Sequence, residues 1–133
     1  MVYEEDIARI AEKHGLVLLV RFGSSVSGKM HVRSDIDLGV LSGRVPMPMG
    51  DYAELLRDLQ EIHPEREVDL AVLDGADPLF LKKVTESCEL LYGSPRALLE
   101  LRIYAFKRYQ DHRRYLAMER QYVEKALAEF ASR

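Results

Sequence analysis

The chain has 133 residues, with 19 Lys and Arg against 22 Asp and Glu, one Cys and no Trp. At 47% hydrophobic and 31% charged, it has the composition of one folded domain and too much apolar content for a disordered chain. The longest apolar run, Leu16–Val20, is far shorter than the roughly 18 residues that span a bilayer as a helix, and a lone Cys88 forms no internal disulfide. Because the start, Met1-Val-Tyr-Glu-Glu-Asp6, is acidic where a secretory or transit peptide is basic, a soluble, cytoplasmic protein is expected.

Residues 4–14 read as a helix, with Ile7, Ile10 and Ala11 on one face and Gly15 as its stop. Leu16–Phe22 is a nearly continuous apolar run of strand length, the pattern of a strand covered on both faces. Gly23-Ser-Ser-Val-Ser-Gly28 interrupts it, and Asp35–Leu41 then alternates with period two as a second strand. After the loop Pro46–Gly50, Asp51 and Glu54 resemble a capping box opening a helix to about residue 62. Glu67–Leu73 alternates again, a helix covers about 78–87, and Glu89–Tyr92 is a short edge strand. Ser94-Pro95 begins a final helix. From Arg96 to Phe130 there is no Gly or Pro, so either one long helix or a helical hairpin follows. Interleaved helices and strands predict an α/β (α+β) fold, a small mixed sheet flanked by helices. Two strands in succession argue against an all-parallel sheet.

Charge is uneven along the chain: residues 1–95 carry a net charge of −7 and residues 96–133 one of +4. An acidic body does not hold nucleic acid through phosphate contacts, so direct nucleic-acid binding is not expected. The basic tail remains available for docking.

The chemistry concentrates in Gly23-Ser24, followed after ten residues by Asp35-Ile36-Asp37, with Asp69 on the next strand. Residues two apart in a strand share a face, so Asp35 and Asp37 lie together while Ile36, Leu38 and Val40 face the core. Asp69 has the parity opposite to Val68, Leu70 and Val72. If the two strands are neighbours, three carboxylates converge. Two unit charges 4 Å apart repel by about 4 kcal/mol at an effective dielectric near 20, so either a proton or a cation must relieve such a cluster. Hard oxygen donors without His or Cys select Mg²⁺ or Mn²⁺, and two ions about 3.5–4 Å apart clamp a phosphoryl transfer. The Gly23-Ser24 turn offers backbone N–H groups and a hydroxyl to an anion, with Gly23 permitting close approach because a Cβ there would meet the phosphate. Gly28 could act similarly at the far end of the turn, and Lys29 and Arg33 are the nearest cations.

Gly23-Ser24-x10-Asp35-x-Asp37 with Glu67-Val-Asp69-Leu-Ala-Val resembles the minimal nucleotidyltransferases of the DNA polymerase β superfamily. More narrowly, it resembles the antitoxins of HEPN/MNT toxin–antitoxin modules. The motifs span about residues 10–92. The resemblance implies a polymerase-β-type fold in which Asp35 and Asp37 hold two metal ions and Asp69 completes one site and assists deprotonation of the attacking hydroxyl. Gly23 and Ser24 would bind the phosphates of an NTP, expected to be ATP, with Lys29 beside them. It further implies AMP transfer to a tyrosine of a HEPN-domain ribonuclease toxin, held in a hetero-oligomeric complex. A neutralising antitoxin without chemistry, or transfer to a small molecule, are the alternative readings.

Other features point elsewhere. Gly23–Met30 is one residue short of a P-loop and lacks the hydroxyl that would ligate Mg²⁺. His14, His31, His63 and His112 show no ligand spacing and read as surface residues; Cys88 reads as a small buried hydrophobe. Arg108–His112 has too short a gap to match the Arg…His pair of HEPN ribonucleases. Six of the eleven aromatic residues follow residue 95. Leu99, Ile103, Phe106 and Tyr109 form one stripe expected to cover the sheet. Leu116, Val123, Leu127 and Phe130 form another, which with Tyr115 and Tyr122 is expected to meet a partner.

Overall fold

The computed structural model describes residues 2–23 and 35–132. Among them the order is α1 (Val2–Lys13), β1 (Leu18–Phe22), β2 (Ile36–Leu41), α2 (Met49–Glu61), β3 (Val68–Val72), α3 (Pro78–Glu86), β4 (Glu89–Tyr92) and α4 (Pro95–Ala131). The strands form one mixed sheet in the order β3-β2-β1-β4. β1 pairs antiparallel with β2 and with β4, whereas β2 and β3 run parallel.

Alternating side chains divide the core between the two faces of the sheet. Leu19, Ile36, Leu38, Val40, Val68 and Leu70 pack beneath α1 (Ile7, Ile10, Ala11) and α2 (Leu55, Leu59). Leu18, Val20 and Leu73 pack on the other side with Leu81 and Val84 of α3 and Leu98, Leu101 and Ala105 of α4. Each fully buried Leu, Ile or Val contributes about 1.5–3 kcal/mol, so both layers are needed. β1 is covered on both faces, as its apolar run predicts. Cys88 is half-buried at the margin of the second layer.

Several sequence expectations need correction. α2 begins at Met49 after Pro48, which supplies no side-chain cap, so Asp51 and Glu54 do not form a capping box. Asp51 lies in the first turn, where its charge suits the positive end of the helix, and Arg44 Nη1 donates to it at 2.8 Å. His63 is buried rather than superficial: its Nδ1 lies 2.7 Å from the Leu59 carbonyl and its Nε2 2.9 Å from the Tyr3 hydroxyl. His14 is also largely buried as a side chain, 2.7 Å from Asp58. His31 lies outside the described residues.

The C-terminal segment is one continuous helix of 37 residues, about 55 Å long at 1.5 Å per residue. Ser94 caps it, its hydroxyl accepting from Ala97 N at 3.0 Å. The stripe expected to cover the sheet does not: Leu99, Ile103 and Phe106 are 54%, 48% and 56% exposed. The face one position earlier, Leu98, Leu101 and Ala105, is buried instead, against α3. From Arg113 to Ser132 every residue is exposed. Among the described residues, no helix is long and apolar enough to cross a membrane.

α1 and α2 are joined by a small ionic cluster. Lys13 Nζ donates to Asp58 Oδ2 at 2.9 Å, and His14 Nε2 lies 2.7 Å from the same oxygen. Burial alone would raise the Asp58 carboxyl, but the hydrogen bonds from His14 and Lys13 outweigh it and hold the group below its ordinary 3.8. A depressed carboxylate contributes stability above its unfolded value and loses it as pH falls through the folded one. Asp58→Asn is therefore expected to lower unfolding free energy by about 1–3 kcal/mol at pH 7. The difference from the unmodified chain should shrink as pH falls below 3.8, measured by denaturant titration at several pH values.

Candidate active site

The parallel pairing of β2 and β3 fixes the site. Asp37 and Asp69 are register partners, on strands about 4.8 Å apart. Their neighbours Ile36, Leu38, Val68 and Leu70 all turn into the α1–α2 core, so both carboxylates project from the opposite face. That face is shared with α3 and α4. Asp35, two residues before Asp37, is exposed just ahead of β2. The three acidic residues are thus brought to one end of the sheet.

Their electrostatics follow from this placement. Asp37 is half-buried while Asp35 and Asp69 are exposed. Its carboxyl is pushed above its ordinary value, first by burial, then by the negative charge of Asp69 and then by that of Asp35. Asp37 therefore feels both neighbours as charges, as the spacing predicts. Among the described residues, no group of three or more His, Cys, Asp or Glu side chains stands arranged so that it could hold a metal ion. The donor chemistry nevertheless fits a hard divalent cation: oxygen ligands only, with mutual repulsion that a cation would relieve.

Gly23 ends β1 with φ +76°, a conformation that costs other L-residues about 1–2 kcal/mol. A Cβ added there would stand 2.2 Å from Asp37 Oδ2 and 3.1 Å from its Cγ. The sequence reading had that Cβ meeting a phosphate. In the structure it meets the Asp37 carboxylate, because Phe22, the residue before Gly23, is the antiparallel register partner of Asp37. Gly23 is thus the space in which that carboxylate sits. Ser24, Gly28, Lys29 and Arg33 lie outside the described residues.

An aromatic pair borders the carboxylates. Phe22 belongs to the α3–α4 side of the core, the same face as Asp37, and its ring meets that of Phe80 on α3 edge-to-face, with centroids 5.8 Å apart and planes at 84°. Sequence reading missed this pair because Phe80 sits 43 residues beyond Asp37 in a helix with no motif. The available signal was the parity of Phe22, which places it beside the acidic residues. Arg21, of opposite parity, instead forms an ion pair with Glu89 of β4.

The family described as "Polymerase beta, Nucleotidyltransferase" matches residues 5–97, a span containing all four strands. A sequence comparison with curated proteins finds no match. Among solved structures, a toxin–antitoxin with AMP-PNP is similar at 25% identity and a TM-score of 0.73, covering 94% of this chain and 98% of that one. A tri-AMPylated HEPN toxin of Shewanella oneidensis in complex with MNT antitoxin is similar at 22% identity and a TM-score of 0.67, covering 96% and 97%. The MntA-HepT toxin–antitoxin is also similar, with 22% identity, a TM-score of 0.67 and the same coverage. With a mixed four-stranded sheet, acidic residues paired across β2 and β3 and a glycine turn closing β1, the chain belongs to the polymerase β nucleotidyltransferase family.

Proposed function

We propose that this protein is an antitoxin that transfers AMP from ATP to a tyrosine hydroxyl of a HEPN-domain ribonuclease, working with its partner in the cytoplasm. The observation that carries the reading is the position of Asp37, fitted against the Gly23 backbone and raised by burial and by the charges of Asp69 and Asp35. Similarity to a toxin–antitoxin with AMP-PNP supports a nucleotide substrate, and the complexes formed by the similar antitoxins support a HEPN partner.

In this reading Asp35 and Asp37 hold two Mg²⁺ or Mn²⁺ ions, with Asp69 sharing one. When bound, the ions supply charge neutralisation at the phosphate oxygens. Gly23, Ser24 and Lys29 hold the triphosphate. Asp69 orients the acceptor hydroxyl and accepts its proton. The hydroxyl oxygen attacks the α-phosphorus, the bond to the bridging oxygen breaks, and pyrophosphate leaves. The partner docks along the outer half of α4. There Tyr115, Leu116, Met118, Tyr122, Val123, Leu127 and Phe130 are all exposed, an apolar content that marks an interaction surface.

The direct test incubates the chain with ATP, Mg²⁺ and the product of the adjacent gene and weighs both proteins intact. The expected result is one or more AMP additions on the partner. A complex that forms without a mass change would instead assign the protein to neutralisation by binding alone. Asp35→Asn with Asp37→Asn should abolish the addition and leave the circular dichroism spectrum unchanged, since both replacements are nearly isosteric.

Gly23→Ala should leave the fold in place, at a cost of about 1–2 kcal/mol for the backbone, while reducing transfer at least about 100-fold. Its Cβ must displace the Asp37 carboxylate, and a small misplacement at a reacting centre has that scale of effect. Truncation after Arg113 should weaken the partner complex by at least about ten-fold, measured by calorimetry, and leave nucleotide affinity within about two-fold. This is the expectation when a few apolar anchors dominate an interface.

A further inference from the structure

The transfer reading accounts for the triphosphate and leaves the nucleobase without a seat. We propose that Phe80 is the base platform, a ring that stacks on the purine of the bound nucleotide. The inference rests on the nucleotidyl-transfer reading and deepens it.

Three observations converge on this residue. Phe22 is the cross-strand partner of Asp37 and projects from the same face, so it adjoins the carboxylates. Phe80 is fixed to Phe22 by their edge-to-face contact. An edge-to-face contact leaves at least one face of each ring outside the pair, so Phe80 keeps a face for stacking. Phe80 is 38% exposed, and Leu79 beside it 43%, so an apolar border faces solvent one ring away from Phe22, the register partner of Asp37.

The backbone that carries the ring is also fixed. Asp77 caps α3, its Oδ1 accepting from Leu79 N at 3.0 Å and from Phe80 N at 3.3 Å. Leu81, the next residue, is buried in the core. A ring on the first turn of a capped and anchored helix is preorganised, which is what a positioning surface requires. Stacking of a base on an aromatic ring contributes about 1–3 kcal/mol and tolerates any base. Phe80 would therefore supply affinity for a purine without choosing between adenine and guanine.

The test titrates the full chain in a calorimeter with a non-hydrolysable ATP analogue and Mg²⁺, and separately with inorganic tripolyphosphate and Mg²⁺, which lacks a base. Phe80→Ala should weaken the analogue about ten-fold and leave tripolyphosphate unchanged. Phe80→Tyr should restore binding. Phe80→Leu, which keeps apolar bulk without a π-face, should not, and it carries the same comparison if the alanine variant fails to fold. Analogue affinity equal to that of the unmodified chain in both the Ala and Leu variants would overturn the inference while leaving the transfer reading intact. So would equal losses for both ligands. Binding of neither ligand by the unmodified chain would overturn the transfer reading and this inference together.

Discussion

The parallel pairing of β2 and β3, which sets Asp37 beside Asp69 against their mutual repulsion, organises the acidic end of this molecule. Hydrogen bonding between parallel β2 and β3 puts their Cα atoms in register, and both side chains emerge from the face opposite the α1–α2 core. Nothing in folding favours that arrangement. It removes Asp37 partly from water and sets two like charges nearby, both of which disfavour its charged form. The two apolar layers above and below the sheet supply the stability that holds it. An unfavourable charge cluster maintained at a defined place is what the proposed counter-charge would relieve, and this links packing to the proposed chemistry.

The glycine turn is the second half of the same constraint. Backbone continuity through Phe22 brings Gly23 against Asp37, where the missing Cβ leaves room for the carboxylate. The glycine proposed to begin the phosphate cradle therefore also seats the acidic group. This coupling explains why Gly and Asp, far apart in sequence, have to be read together.

Much of this was legible in the sequence because it depends on period-two alternation. The parity of Asp35, Asp37 and Asp69 against Ile36, Leu38, Val68 and Leu70 fixed which face each would take, and β4 and the start of α4 fell where Glu89–Tyr92 and Ser94-Pro95 indicated. Helix faces were harder to assign. Leu99, Ile103 and Phe106 are as apolar as Leu98, Leu101 and Ala105, yet only the latter are buried, because the direction from which α3 and the sheet meet α4 decides the contact and no local pattern encodes it. His63 was misjudged for a similar reason: its burial depends on Tyr3, 60 residues away, which no local pattern reveals. Asp51 failed as a cap because the N-cap position of α2 is Pro48, three residues earlier than the capping pattern suggests.

The architecture separates tasks between two regions. The sheet and its helices provide the acidic cluster and an aromatic border, while α4 continues from the α3 contact into a stretch exposed on every side. The central claim concerns the first region and is tested most directly by anomalous diffraction from crystals grown with Mn²⁺ and a non-hydrolysable ATP analogue. The account predicts Mn²⁺ between the carboxylates of Asp35, Asp37 and Asp69, next to the phosphates. Manganese peaks elsewhere, with those side chains turned apart, would contradict it.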